Sequence, residues 1–362
     1  MNWKGTHLTY CMNIHRGERW IDVSNAINKY SIKIKNYISP DKPFGIGLRL
    51  SMKAAKELIL CIDDFKKYLY KNNLYIFTIN GFVYGNFYGK HIKEKVYQPD
   101  WSKEERLSYT KLLGKILVKL LPENVDGSIS SIPVCYGKTI PKNSIKNLIK
   151  AGEFFYKLAR NHGKKIILAL EPEPDCLLAT TEETIQFWKK LQSITNKEII
   201  KFIGVCVDTC HFACEFEDLS SVIYKIESAG ILIPKIQITS AIRLFSSNCE
   251  PKKVLLKYLD PIYLHQTRVL LNGRKKSFPD LLDALKENPK GEWRIHYHVP
   301  LYYDNEKVGT TAYMLDKTFF SRAIKPNRHL EIETYTFNIL PGVDKNVVKS
   351  IVKEFHWLFN KV

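Results

Sequence analysis

The chain has 362 residues, 45% hydrophobic and 25% charged, an ordinary globular balance that excludes a disordered or fibrous chain. Its apolar runs, such as residues 166–170 and 231–233, are strand length, too short for a membrane-spanning helix, and Met1-Asn2-Trp3-Lys4-Gly5-Thr6 lacks the apolar core of a signal peptide. The formal charge of +18 raises a nucleic-acid partner, but Lys53, Lys56, Lys66, Lys67 and Lys71 fall on predicted helix faces and no Arg-rich run occurs, so no nucleic acid is expected.

Short apolar runs alternate with amphipathic stretches along the chain, which predicts parallel βα units. Strand-like residues 7–14 precede a helical region at 21–38. The second run is 44–50, and Ser51 can cap a helix reaching Lys71. The third is 74–79, followed by a long loop at 82–99 and a helix at 103–121. The fourth is 127–134, with a helix at 144–162. The fifth, 165–170, enters Glu171-Pro172-Glu173-Pro174, after which Thr180 and Glu183 have capping-box spacing. The sixth, 202–207, runs into Asp208-Thr209-Cys210-His211, with a helix at 219–229. The seventh is 234–238.

The rhythm breaks at 242–291. Two further runs, 293–299 and 330–336, leave nine candidates for eight places in a (β/α)₈ TIM barrel. The expected assignment makes 330–336 the eighth barrel strand, closed by a helix at 346–359. The chain then reads as one domain over residues 1–362, with an insertion at about 242–328 over the barrel mouth.

In such a barrel the C-terminal strand ends carry the site. Glu171 and Glu173 follow the fifth run, Asp208 and His211 the sixth; Gln237 lies in the seventh, Glu331 and Glu333 in the eighth. His296 and His298, two apart, share one side of an extended chain. Most of these have an ordinary structural reading, as loop carboxylates, a hydrogen-bonded Asp–His pair or surface histidines, whereas Gln237, polar between Ile236 and Ile238 inside a buried strand, needs a partner. Together they collect carboxylates that need a basic partner or a cation. Oxygen and imidazole donors suit Mg²⁺ or Mn²⁺, with Zn²⁺ or Co²⁺ through the histidines. Eight scattered cysteines without CxxC pairs read as reduced thiols, hence a cytoplasmic protein.

The run Val205-Cys206-Val207-Asp208-Thr209-Cys210-His211 resembles a strand end of the xylose isomerase-like superfamily, which includes endonuclease IV, sugar-phosphate isomerases and ketose 3-epimerases. Leu170-Glu171, Ile236-Gln237-Ile238 and Leu330-Glu331-Ile332-Glu333-Thr334 are similar to its other ligand positions, the last selecting Glu333 over Glu331. The resemblance implies metal ligands Glu171, Asp208, Gln237 and Glu333 around one divalent ion. The extra histidines of the three-zinc nucleases are missing, with Asn80 and the neighbourhood of Val134 at those positions.

Four motifs, residues 7–15, Thr78-Ile79-Asn80-Gly81-Phe82, His296-Tyr297-His298-Val299-Pro300-Leu301 and Glu333-Thr334-Tyr335-Thr336, also resemble the EboE-type metabolite traffic family. That likeness implies handling of a secondary-metabolite precursor alongside other proteins of one gene cluster. Three functions follow as expectations. The first is a metal-dependent isomerase or epimerase on a polyol, cyclitol or keto-sugar-like metabolite. There the cation polarises adjacent substrate oxygens and stabilises an enediolate, Glu171 or Glu333 moves the proton and His211 assists. His211, His296, His298, Asn80, His265 and the loop at 82–87 bind substrate. The second is a non-catalytic metabolite carrier, and the third a metal-dependent phosphodiesterase.

Overall fold

A computed structural model describes residues 1–88, 92–303, 305 and 307–362; part of the loop expected at 82–99 therefore lies outside the described residues. The barrel strands are β1 (Thr6–Tyr10), β2 (Phe44–Arg49), β3 (Leu74–Asn80), β4 (Gly127–Ser131), β5 (Ile166–Leu170), β6 (Ile203–Asp208) and β7 (Lys235–Ile238). A second sheet comprises β8 (Ile242–Phe245), β9 (Thr267–Leu271), β10 (Arg274–Phe278), β11 (Glu292–Ile295) and β12 (Gly309–Thr310). The chain then returns to the barrel as β13 (His329–Ile332), parallel to both β1 and β7. A two-residue strand, Asn2–Trp3, pairs antiparallel with β1. Among the described residues no helix is long and apolar enough to cross a membrane.

The barrel strands are buried on both faces, which explains their nearly continuous apolar runs. Several runs outlast their strands. The 7–14 run turns after Tyr10 into a 3₁₀ turn at Met12–Ile14. The 293–299 run keeps its ladder only through Ile295, and the 330–336 run only through Ile332, so Glu333 stands just beyond β13. The helix expected across 51–71 is two, Met52–Leu58 and Ile62–Lys71. The region expected as helix at 21–38 contains a π turn at Ile27–Ser31. Local capping follows the sequence: Ser51 Oγ accepts from Ala54 N, and Thr180 and Glu183 form a reciprocal box.

Closure between β1 and β2 relies on a side chain. Thr9 Oγ1 donates to Gly45 O at 2.7 Å and accepts from Gly47 N at 2.9 Å, beside a single bridge between Cys11 and Gly47. A Cβ at Gly47 would overlap both Glu331 Oε1 and the Tyr10 carbonyl, so the close approach requires glycine. Gly47→Ala is expected to destabilise the fold by about 3 kcal/mol, the upper range for overpacking, measured by denaturant unfolding.

The C-terminal helix Val347–Phe359 ties the residues after β11 to the residues after β13. Buried Glu354 accepts from Leu301 N and from Thr334 Oγ1, each at 3.1 Å. Burial pushes its carboxyl up from 4.5 to about 8. The folded state therefore holds this proton more tightly than the unfolded chain. Its contribution is fully present below pH 4.5 and is lost as pH rises towards 8. Glu354→Gln, which keeps the shape, is expected to flatten the fall of melting temperature between pH 5 and 8 relative to the parent protein.

Candidate metal centre and active site

Asp208 ends β6 and caps the short helix Thr209–Cys214. Its Oδ1 accepts from Cys210 N at 2.7 Å, His211 N at 3.0 Å and Thr239 Oγ1 at 2.6 Å. With that oxygen saturated, Oδ2 is buried and without a hydrogen-bond partner. Glu171 leaves β5 with its backbone N–H still bonded to Ser131 O, and its buried Oε2 also has no partner. Gln237 sits in β7 beside Asp208 and Glu331, fully buried, with neither amide atom hydrogen-bonded.

Glu333 receives Asn13 Nδ2 at 2.6 Å and Asn80 Nδ2 at 3.1 Å on one oxygen, while the other lies 3.4 Å from His298 Nδ1. Ligand atoms of Glu171, Asp208 and Glu333 all fall within 4.8 Å of one another. Burial, then the neighbouring carboxylates Glu333 and Asp208, hold the Glu171 carboxyl well above its ordinary range. Burial also raises Glu333, and raises Glu173 to about 7.

Beside the carboxylates three imidazoles converge. The Nε2 atoms of His211, His296 and His298 are 3.1, 3.0 and 3.3 Å apart pairwise. Nδ1 of His211 donates to Pro172 O at 2.8 Å. Nδ1 of His296 donates to Gln266 Oε1 at 2.7 Å, an amide oriented by Nε2 contacts to Tyr97 OH and Pro174 O. These bonds fix both tautomers, so two bare Nε2 lone pairs face each other. Burial lowers the His298 pKa to about 4 and drives His296 well down, so the rings are neutral donors rather than cations. Two lone pairs at hydrogen-bond distance call for a proton or a cation between them. Orphaned carboxylate oxygens, an orphaned buried amide and converging imidazoles are together a donor set that fits a divalent ion.

Thus the structure brings Glu171, Asp208 and Glu333 together, pairs Gln237 in register with Asp208 on the neighbouring strand, and places His211, His296, His298 and Asn80 around one cavity. Tyr297 points away and stacks on His265 at 3.7 Å. His265 does not line the cavity. Its Nδ1 bonds to His296 O at 2.8 Å, so the residue expected to touch substrate instead supports the His-x-His segment from behind.

Phe82, Val83 and Phe87 of the 82–87 loop do line the cavity. Sequence reasoning missed Asn13, Tyr97, Tyr263 and Tyr335. It also missed Lys235, whose Nζ lies 2.6 Å from Glu331 with both side chains fully buried. Alternation along β7 could have found it, since Lys235 and Gln237 share a face of one strand. The Lys235 pairing gives Glu331 a structural partner one layer below Glu333.

Neither a family model nor a curated protein matches the sequence. Solved structures do match in fold. A xylose isomerase-like TIM barrel protein from Mycobacterium smegmatis in complex with magnesium is 11% identical, covering 98% of this chain and 96% of that one, with a TM-score of 0.54. D-allulose 3-epimerase from Methylomonas sp. in complex with D-allulose is 10% identical, covering 100% and 99%, with a TM-score of 0.53. The IolI protein with a bound zinc atom is 12% identical, covering 98% and 99%, with a TM-score of 0.51. The chain therefore has the xylose isomerase-like (β/α)₈ barrel fold.

The Lys235–Glu331 pair predicts a sign pattern. Lys235→Met alone leaves a buried charge and is expected to cost about 3–5 kcal/mol in denaturant unfolding, while Lys235→Met with Glu331→Leu recovers most of that loss.

Proposed function

We propose that this chain is a metal-dependent isomerase or epimerase acting on a small metabolite with oxygens on adjacent carbons, as in a polyol, cyclitol or keto-sugar. The observation that carries the reading is the set of buried oxygens left without partners, Asp208 Oδ2 and Glu171 Oε2, on two residues that with Glu333 each offer a ligand atom within 4.8 Å of the others. Glu171, Asp208, Gln237 and Glu333 would hold a divalent ion, Mn²⁺, Mg²⁺, Zn²⁺ or Co²⁺. When bound, such an ion polarises oxygens on neighbouring carbons and acidifies the carbon-bound hydrogen between them.

The chain's own residues supply the rest. Glu171, as carboxylate, would take the proton from carbon on one side of the substrate. Glu333, fixed through one oxygen by Asn13 and Asn80, would deliver a proton to carbon from the other side, so that one carboxylate gains the proton that the other gives up. His211, with Nδ1 tied to Pro172 O, offers Nε2 to a substrate oxygen, and His296 and His298 bind beside it. Asn80 orients Glu333. The motif resemblance to EboE-type metabolite traffic proteins adds a context: the metabolite is a secondary-metabolite precursor, and products of the same gene cluster are the protein partners.

Metal content and isotope exchange test the reading. Purified protein titrated with Mn²⁺ is expected to bind it. Asp208→Asn and Glu171→Gln are each expected to weaken that binding on the order of 100-fold with the circular dichroism spectrum unchanged. Loaded protein is expected to exchange a carbon-bound hydrogen of substrate with D₂O. Unchanged Mn²⁺ affinity in both variants would overturn the assignment.

A further inference from the structure

The cavity above the carboxylates has a polar floor and a wall of different character. Its wall includes Phe82, Val83, Phe87, Val96, Tyr263 and Tyr335. Phe87, Tyr263 and Tyr335 come from three separate segments and meet ring to ring, with centroids 5.0–5.2 Å apart. Tyr335 also lies 4.6 Å from the His298 ring, joining wall to floor.

The backbone carbonyls of Gly81, Phe82, Val83 and Phe87 are already bonded from behind the wall. Arg106 Nη1 donates to Gly81 O at 3.0 Å and to Phe82 O at 2.8 Å. Tyr109 OH donates to Val83 O, Tyr263 OH donates to Phe87 O, and Phe87 N donates to Glu18 Oε1. Tyr97 OH donates to Glu173, and Lys93 is paired with Asp280 at 2.7 Å. Among the described residues lining the cavity, the Tyr335 hydroxyl, Asn13 Oδ1, Glu173 Oε2 and the spare N–H donors of Lys93 are left for a ligand, and of these the Phe87–Tyr263–Tyr335 face contributes the Tyr335 hydroxyl.

A free sugar or polyol in this cavity would set most of its distal hydroxyls against the ring faces of Phe82, Phe87, Tyr263 and Tyr335, which offer few groups to bond them, and each hydroxyl stripped of water without a partner weakens binding. A flat apolar body would instead displace water from aromatic faces.

We infer that the substrate is two-ended: a head with two adjacent oxygens, such as an α-hydroxy ketone, on the carboxylate and imidazole floor, and an apolar, preferably aromatic, body against the Phe87–Tyr263–Tyr335 wall. The placement of the head rests on the proposed function; the body is read from the wall alone. It narrows the substrate class from free polyols to conjugated or aryl-bearing compounds.

A matched pair isolates the body. Hydroxyacetone and 2-hydroxyacetophenone share the head and differ by methyl against phenyl; D-fructose serves as the free keto-sugar. Calorimetric titration is run on metal-free and on Mn²⁺-loaded protein. The phenyl compound is expected to bind at least about tenfold more tightly than either other ligand, a difference of about 1.4 kcal/mol. Phe87→Ala, and Val96→Asn on the less buried side of the wall, are expected to reduce that preference at least about threefold while Mn²⁺ affinity stays at the parent value. D-fructose binding as tightly as the phenyl compound, failure of all three ligands to bind, or a phenyl preference untouched by both variants would overturn the inference. Absence of Mn²⁺ uptake strikes the proposed metal chemistry instead, and leaves the wall's preference readable in the metal-free protein.

Discussion

Five carboxylates are buried at and just below the mouth of this barrel: Glu171, Glu173, Asp208, Glu331 and Glu333. Most of the local structure answers that constraint, because a buried anion without compensation is too costly to keep charged. Lys235 offsets Glu331 directly. Asp208 is met by two backbone N–H groups and a hydroxyl, Glu333 by two asparagine amides, and Glu173 by a tyrosine hydroxyl. Those donors are neutral. They satisfy lone pairs and leave the net charge where it was. The remaining oxygens, Glu171 Oε2, Glu173 Oε2, Asp208 Oδ2 and Glu331 Oε1, have no hydrogen-bond partner, which is the condition that a cation or a proton relieves.

The histidines sharpen the point. Imidazolium groups could have balanced the carboxylates, but burial holds His298 and His296 in their neutral form. Hydrogen bonds from Nδ1 of His211 and His296 to carbonyl oxygens then fix which nitrogen is free. The result is nitrogen donors aimed into the same space as the spare oxygens. The second sheet and the helix Val347–Phe359 serve this arrangement mechanically. Thr336 Oγ1 donates to His298 O at 2.7 Å, and Glu354 holds Leu301 and Thr334 together, so the His-x-His segment and the end of β13 are fastened to one another.

Legibility in the sequence tracked the range of the interaction. Asp208 and His211 were readable because they directly follow a buried apolar run, at the strand end where such a barrel carries its site. His296 and His298 were readable from two-residue periodicity, and Gln237 because a polar residue between Ile236 and Ile238 needs a reason. The eight parallel runs were legible because strands buried on both faces are continuous apolar blocks. Strand ends were not, because ladder pairing stops where the neighbouring strand stops. Residues 242–291 were not, because their strands belong to an antiparallel sheet with mixed exposure, as in the exposed Arg274–Ser277 part of β10. The Lys235–Glu331 pair joins residues 96 positions apart in sequence. The aromatic wall gathers three segments that no local pattern connects. His265 looked like a site residue because histidine type carries no information about which side of a segment its ring will take.

The overall charge of +18 and the acidity of the mouth describe different distances. Ion pairs on the outer surface, such as Lys150 with Glu104 and Lys201 with Glu198, sit in water, where interactions beyond about 8 Å are screened at physiological ionic strength. A ligand at the floor therefore experiences Glu171, Asp208 and Glu333 at close range in a poorly hydrated space, and the many surface lysines hardly at all. For that reason the basic composition does not argue for an anionic substrate. An anionic head would meet repulsion from the carboxylates unless a cation stood between, whereas neutral hydroxyl and carbonyl oxygens would meet both the carboxylates and the imidazoles favourably. The composition sets how the molecule behaves in bulk solution; the few orphaned atoms in its mouth set what it can hold.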